Sequence, residues 1–303
     1  MKRRALFYSL SIVAIALAYI TGAVVEVLRN GYNRQLIASK INGQLPYRSW
    51  PEIIRFMLPP GANLPGPLAH LPSVHVEQKQ QGVCPVLWET PFGPFWGRSD
   101  DRELVGFLMQ EQFTGSIYEH EPVVLHQGDV VLDVGANLGT FTRFALNRGA
   151  RRVIAFEPEP VNIACFKSTF KDEMESGRVT LVESAVWDHS GTLDFSEPIQ
   201  GNSGGGSPVI GNGTPWITVQ ATTIDETVAK LKLDHVDFIK MDIEGSERNA
   251  LRGGRQSLAR FVPRMALSVE HFADDVEAIP QAVLEAKPDY HLIRGDKTVF
   301  YFY

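Results

Sequence analysis

The chain has 303 residues, with 29 Lys and Arg against 35 Asp and Glu, and a formal net charge of -6. Phosphate binding needs a clustered excess of cations, so this balance gives no footprint for nucleic acid and no nucleic-acid partner is expected. With 44% hydrophobic and 21% charged residues the chain is neither disordered nor multi-spanning, and its length admits one large α/β domain with an appendage.

The N-terminal residues 5–25 read ALFYSLSIVAIALAYITGAVV without a charge. At about 1.5 Å per residue such a helix spans a hydrocarbon core of about 30 Å. Lys2, Arg3 and Arg4 precede it, and Ala16-Leu17-Ala18 would pass as a cleavage site, so a secretory signal peptide is the competing reading. The apolar run outlasts the usual core of such a signal, so the expectation is an uncleaved, single-pass transmembrane helix over residues 1–30. Lys and Arg are balanced on its two flanks and do not set its orientation.

Residues 31–95 are rich in Pro and Gly, as in MLPPGANLPGPLAHLP, and sustain no helical or alternating period. They predict a linker and N-terminal extension with short elements packed on the main domain. Within it, WETPFGPFW is expected as a turn-rich segment docked on the core, with a cap over a substrate pocket as the alternative. Cys84 and Cys165 are far apart and show no CxxC spacing, which predicts two free thiols in a reducing compartment rather than a zinc site or disulfide.

Over residues 96–303 apolar, β-branched runs alternate with helical patterns, the signature of a doubly wound α/β domain with a Rossmann-like parallel sheet. Strands are predicted at 130–134, 153–157, 179–186, 236–242 and 265–270, and helices at 138–147, 160–173, 224–232, 246–257 and 275–285. The ending YHLIRGDKTVFYFY predicts a closing antiparallel hairpin.

The sharpest motif is GDVVLDVGANLGTF, a strand entering a glycine turn and then a helix. Gly135 and Gly139 are expected to let the backbone approach a ligand, with Asn137 between them. The spacing is not the G-x-G-x-x-G of a nicotinamide site. Asp133, just before the turn, would repel a pyrophosphate and attract an amino group or a sulfonium, which suits S-adenosyl-L-methionine. Glu157 ends the second strand where a carboxylate reaches ribose hydroxyls, and Ala185 ends the third where a small side chain leaves room for adenine.

Together, VLDVGANLGTFT, VIAFEPEP, FIKMDIEGSERNALRGG and ALSVEHF resemble the FkbM family of methyltransferases over residues 129–271. The resemblance implies the seven-stranded methyltransferase sheet and methyl transfer to a hydroxyl, often on a sugar, polyketide or other secondary metabolite. It also implies that the glycine-rich insertion GNSGGGSPVIGNGTPW, with Asn202, Ser203 and Ser207, lines the active site, where its glycines would suit a lid closing over bound substrates; a flexible surface loop reads equally well.

Methyl transfer requires alignment of an acceptor oxygen and removal of its proton. Candidates are Asp242 and Glu244 after the fourth strand, and Glu270 and His271 after the fifth. His271, with an ordinary pKa of about 6.5, is the expected general base. These four side chains could together ligate a divalent ion, but the Asp-Asn pair of catechol-type enzymes is missing and no metal is expected. The expected acceptor is a small molecule or glycan, and the catalytic domain is expected to face the cytosol, where the cofactor is made. The rival readings are a nicotinamide-dependent Rossmann oxidoreductase and a non-catalytic membrane scaffold with a methyltransferase fold.

Overall fold

The computed structural model describes residues 75–78, 83–90, 92–98, 108–196, 206–210, 215–295 and 298–303. The expected membrane helix at residues 5–25, and Asn202 and Ser203 of the glycine-rich insertion, lie outside them. Among the described residues no helix is long and apolar enough to cross a membrane.

The described chain opens with an antiparallel sheet of β1 (His75–Gln78), β2 (Val86–Glu89) and β3 (Phe95–Gly97). Trp88 and Phe95 are fully buried in the main core, and the Phe95 ring meets Phe170 edge-on at 6.4 Å. WETPFGPFW is thus docked on the core. The expectation of free thiols fails: Cys84 and Cys165 form a disulfide, across a sequence separation of 81. The bond ties the start of β2 to the helix that follows β5.

The main sheet has seven strands in the order β12-β13-β11-β10-β4-β5-β6. Its parallel strands are β4 (Val130–Val134), β5 (Arg152–Phe156), β6 (Val179–Val182), β10 (Phe238–Met241) and β11 (Arg264–Ser268). The hairpin of β12 (Leu292–Arg294) and β13 (Val299–Phe302) closes it by antiparallel pairing of β13 to β11. All five residues of β4 are buried, as expected of a central strand covered on both faces. The helices between them are α1 (Thr140–Asn147), α2 (Pro160–Thr169), α3 (Lys171–Glu175), α4 (Ile224–Lys230), α5 (Glu247–Arg252), α6 (Arg255–Phe261) and α7 (Asp275–Ala286). The helix predicted at 246–257 is two, parted at Gly253-Gly254, where glycine's poor helix propensity favours a break.

A third sheet, unanticipated from sequence, orders β7 (Ala185–Val186), β9 (Pro215–Thr222) and β8 (Gly191–Ser196), so the strand predicted at 179–186 is divided between two sheets. Phe195 and Val219 pack with Ala185 in a small core of their own.

The chain runs outward from β4 to β6 and returns to place β10 on the other side of β4. This reversal opens a crevice beyond the carboxyl ends of β4 and β10, the place where open α/β sheets bind ligands.

Candidate active site

The cleft beyond this edge is lined on one side by Gly135, Asn137, Glu157, Glu159, Asn162 and Ala185. Glu157 follows β5 and is only 5% exposed. Its carboxylate accepts the backbone N–H groups of Asn137 (2.8 Å) and Glu159 (2.9 Å) and the side-chain amide of Asn162 (3.3 Å). Burial pushes its pKa up to about 7, a rise that these donors oppose and neighbouring Glu159 reinforces. Glu159 is in turn the N-cap of α2, accepting from Asn162 N at 2.7 Å. Asn137 takes a left-handed backbone (φ 51°), which aims its N–H at Glu157.

On the opposite side, Asp242 and Glu244 follow β10 and line the same cleft. Tyr118 donates its hydroxyl to Asp242 Oδ2 at 2.9 Å. Burial, with Asp242 adding to it, holds the Tyr118 pKa well above the usual 10, so the phenol remains a donor. Glu244 sits at φ 53°, a conformation rarely adopted outside Gly, Asn and Asp, and its carbonyl accepts the buried Ser207 hydroxyl at 2.7 Å. Burial raises the Glu244 carboxyl to about 7; His271 opposes the rise, and Asp242, Glu270 and Glu247 reinforce it.

His271 lies behind these two acids, with Nε2 at 3.6 Å from both Asp242 Oδ1 and Glu244 Oε2 and Nδ1 at 3.3 Å from Glu247 Oε1. Burial lowers its pKa, but the pull of Glu247, Glu244 and Asp242 outweighs this and leaves it well above 6.5. Its backbone is fixed by Asp275, which accepts the N–H groups of His271 and Phe272 and is itself held by Arg248.

Of the residues expected from sequence, Gly135, Asn137, Glu157, Ala185, Asp242 and Glu244 line the cleft, whereas Asp133, Gly139, Glu270 and His271 do not. Asp133 is fully buried beneath the turn, accepts the Thr142 hydroxyl at 2.7 Å and lies 3.4 Å from Lys240 Nζ. It supports the turn, where direct contact with a cofactor had been expected. The glycines also serve packing. A Cβ on Gly135 would fall 2.0 Å from the Asp242 carbonyl oxygen, and one on Gly139 would fall 2.2 Å from the Phe170 ring.

Sequence reasoning passed over Tyr118, Asn162, Lys240 and Glu247. Lys240 lines the cleft and donates to the Gly135 carbonyl at 2.7 Å. A lysine in the otherwise apolar strand FIKM was a legible signal, since a buried cation requires partners. Glu247 is wholly buried and curls back to accept the Ile243 N–H at 2.8 Å.

A family model described as the methyltransferase FkbM domain matches residues 133–292. The 31-O-demethyl-FK506 methyltransferase FkbM of Streptomyces tacrolimicus is 43% identical over 86 residues, which cover 28% of this chain and 32% of that protein. The 2-O-methyltransferase NoeI of Sinorhizobium fredii is 25% identical over 210 residues, 59% of this chain and 81% of that one. The hexuronic acid methyltransferase AglP of Haloferax volcanii is 28% identical over 167 residues, 53% and 64% of the two chains. The match thus spans about a third of the first relative and just under two thirds of the last. With more than half of its length inside the family match and the cleft's acids on the strand ends that the motifs mark, the chain belongs to the FkbM methyltransferase family.

Proposed function

We propose that this chain is an S-adenosyl-L-methionine-dependent methyltransferase that methylates a hydroxyl of a small molecule, sugar or lipid-linked metabolite. The observation that carries the reading is the buried Glu157 carboxylate on one wall of the cleft, facing an acid pair, Asp242 and Glu244, on the other. Glu157 is suited to a ribose diol because it is pre-organised by three donors and opens on the cleft. Ser184, Ala185 and Val186 offer a small-residue floor for a purine ring. A dinucleotide fits less well. Its pyrophosphate would meet Glu157, Glu159, Asp242 and Glu244, while among the described lining residues Lys240 is the one Lys or Arg, and it is already engaged by Gly135 and Asp133. That two of the similar proteins are named for methylation at an oxygen supports a hydroxyl acceptor.

When bound, the cofactor supplies an electrophilic methyl group on a sulfonium. The chain's part is to hold the acceptor oxygen in line and accept its proton. Tyr118 fixes Asp242, and Ser207 fixes the strained turn that presents Glu244, so both carboxylates meet an entering hydroxyl in set positions. His271 stands behind them and offsets the charge of the pair.

The test is incubation of the full chain with methyl-labelled S-adenosylmethionine and a panel of hydroxylated acceptors, followed by mass spectrometry of the products. Label on an acceptor oxygen is expected. Absence of transfer, together with nicotinamide-dependent turnover of any acceptor, would replace this reading with the oxidoreductase one; absence of both would favour the scaffold. The apolar run at residues 5–25 is proposed to tether the enzyme to a membrane, and deletion of residues 1–30 is expected to release it from carbonate-washed membranes with methyl transfer retained.

A further inference from the structure

Behind the acid pair, one oxygen of Asp242, one of Glu247 and one imidazole nitrogen of His271 lie within 4.8 Å of one another. Such spacing allows three donors to share one ion, but carboxylates and histidines also cluster without metal, so the state of the individual atoms decides the matter. Glu247 is 0% exposed, and its Oε2 has no hydrogen-bond partner among the described residues. The His271 side chain is 8% exposed, and its Nδ1 lies 3.3 Å from Glu247 Oε1, which also accepts the Ile243 N–H. A buried carboxylate oxygen left unsatisfied within such a cluster is costly unless a further group completes it.

We propose that Asp242, Glu247 and His271 form a divalent-cation site at the acceptor end of the cleft. This inference rests on the methyltransferase reading for its purpose, though not for its geometry. Two carboxylates and one imidazole are a donor set for Mn2+, Mg2+ or Fe2+, and three protein ligands leave coordination positions open. Asp242 is 31% exposed at its side chain and lines the cleft, so an ion held here borders the space that an acceptor hydroxyl enters. It would act as a Lewis acid on that oxygen and favour loss of its proton before the methyl group arrives. The site is anchored by its neighbours: Asp275 holds the His271 backbone, Tyr118 holds Asp242, and the Ile243 N–H holds Glu247. Ligand partners of this kind are what orients a metal's donors.

The experiment uses the full chain, stripped with chelator and titrated with Mn2+ alone, with bound ion read by electron paramagnetic resonance. No acceptor and no cofactor are needed. The expected result is uptake of about one Mn2+ per chain, with affinity reduced by at least about tenfold in both Glu247→Gln and Asp242→Asn. The second variant guards against a folding defect in the first, because Asp242 is partly exposed. No stoichiometric uptake by the parent chain, or unchanged affinity in a folded Asp242→Asn variant, would overturn the site. Methyl transfer before and after chelation separates the two readings. Mn2+ uptake without any methyl transfer would retain the site and remove the proposed function, whereas methyl transfer by a chain that takes up no Mn2+ would do the reverse.

Discussion

On the β5 wall of the cleft the buried Glu157 carboxylate accepts from Asn137, Glu159 and Asn162, whereas on the β10 wall Asp242, Glu244 and Glu247 converge on the one imidazole of His271. The first arrangement gives its carboxylate three donors from the chain itself. Two of those donors are backbone N–H groups, and the disulfide ties α2, which carries Asn162, to the start of β2. The second is rich in negative charge and leaves the buried Glu247 Oε2 without a hydrogen-bond partner among the described residues. A site that must bind one invariant molecule can be satisfied in advance. A site that must take up a proton and a changing acceptor cannot be, and under the proposed function this difference would separate a cofactor half from a chemical half.

Removal of the acid pair has the largest expected effect. A chain carrying Asp242→Asn and Glu244→Gln is expected to lose about 10² to 10⁴ in turnover, the usual worth of positioned proton-transfer groups. Its affinity for S-adenosylhomocysteine is expected to stay near that of the parent. Steady-state kinetics beside equilibrium binding checks this, and a matching loss of cofactor affinity would mean that both walls belong to the cofactor.

Next in size is the disulfide. Closing a loop of sequence separation 81 is worth roughly 4 kcal/mol in a chain-entropy account, so reduction of Cys84–Cys165 is expected to lower unfolding stability by about that amount. Denaturant titration with and without reductant measures it. An unchanged midpoint would show that the bond constrains little.

A smaller effect concerns pH. Glu157 has a folded pKa of about 7 against an ordinary value of 4.5. Its protonated form therefore stabilises the cofactor-free fold in full below about 4.5, and that contribution is lost as pH rises through about 7. Ribose hydroxyls donating to the ionised form would reverse the preference. Cofactor affinity is thus expected to rise about tenfold between pH 6 and pH 8, and to be flat in Glu157→Gln. Titrations at a series of pH values report it, and the same slope in the variant would assign the effect to another group.

Much of the β5 wall was legible in the sequence, because it is local. The strand VVLDV, the turn after it and the acid ending the next strand follow one another within a few tens of residues, and β4 and α1 formed close to the expected places. The family likeness and the closing hairpin were equally visible. The β10 wall was legible only in its residue types. His271 and Glu247 meet through a turn that curls Glu247 back onto Ile243, a feature of backbone path with no spacing signature. Asp133 was assigned the wrong neighbours for the same reason: strand alternation put it under the turn, against Thr142 and Lys240. The disulfide was hidden because the approach of Cys84 and Cys165 to a Cα separation of 5.4 Å is wholly tertiary. The β8–β9 pair was hidden by the glycine-rich insertion between its strands.

The most direct test of the account is calorimetric titration of the full chain with S-adenosylhomocysteine, beside Glu157→Ala. One site per chain is expected, with binding weakened in the variant by about 1 to 3 kcal/mol, the worth of a buried polar partner. Absence of binding by the parent chain, or equal affinity in the two proteins, would contradict it.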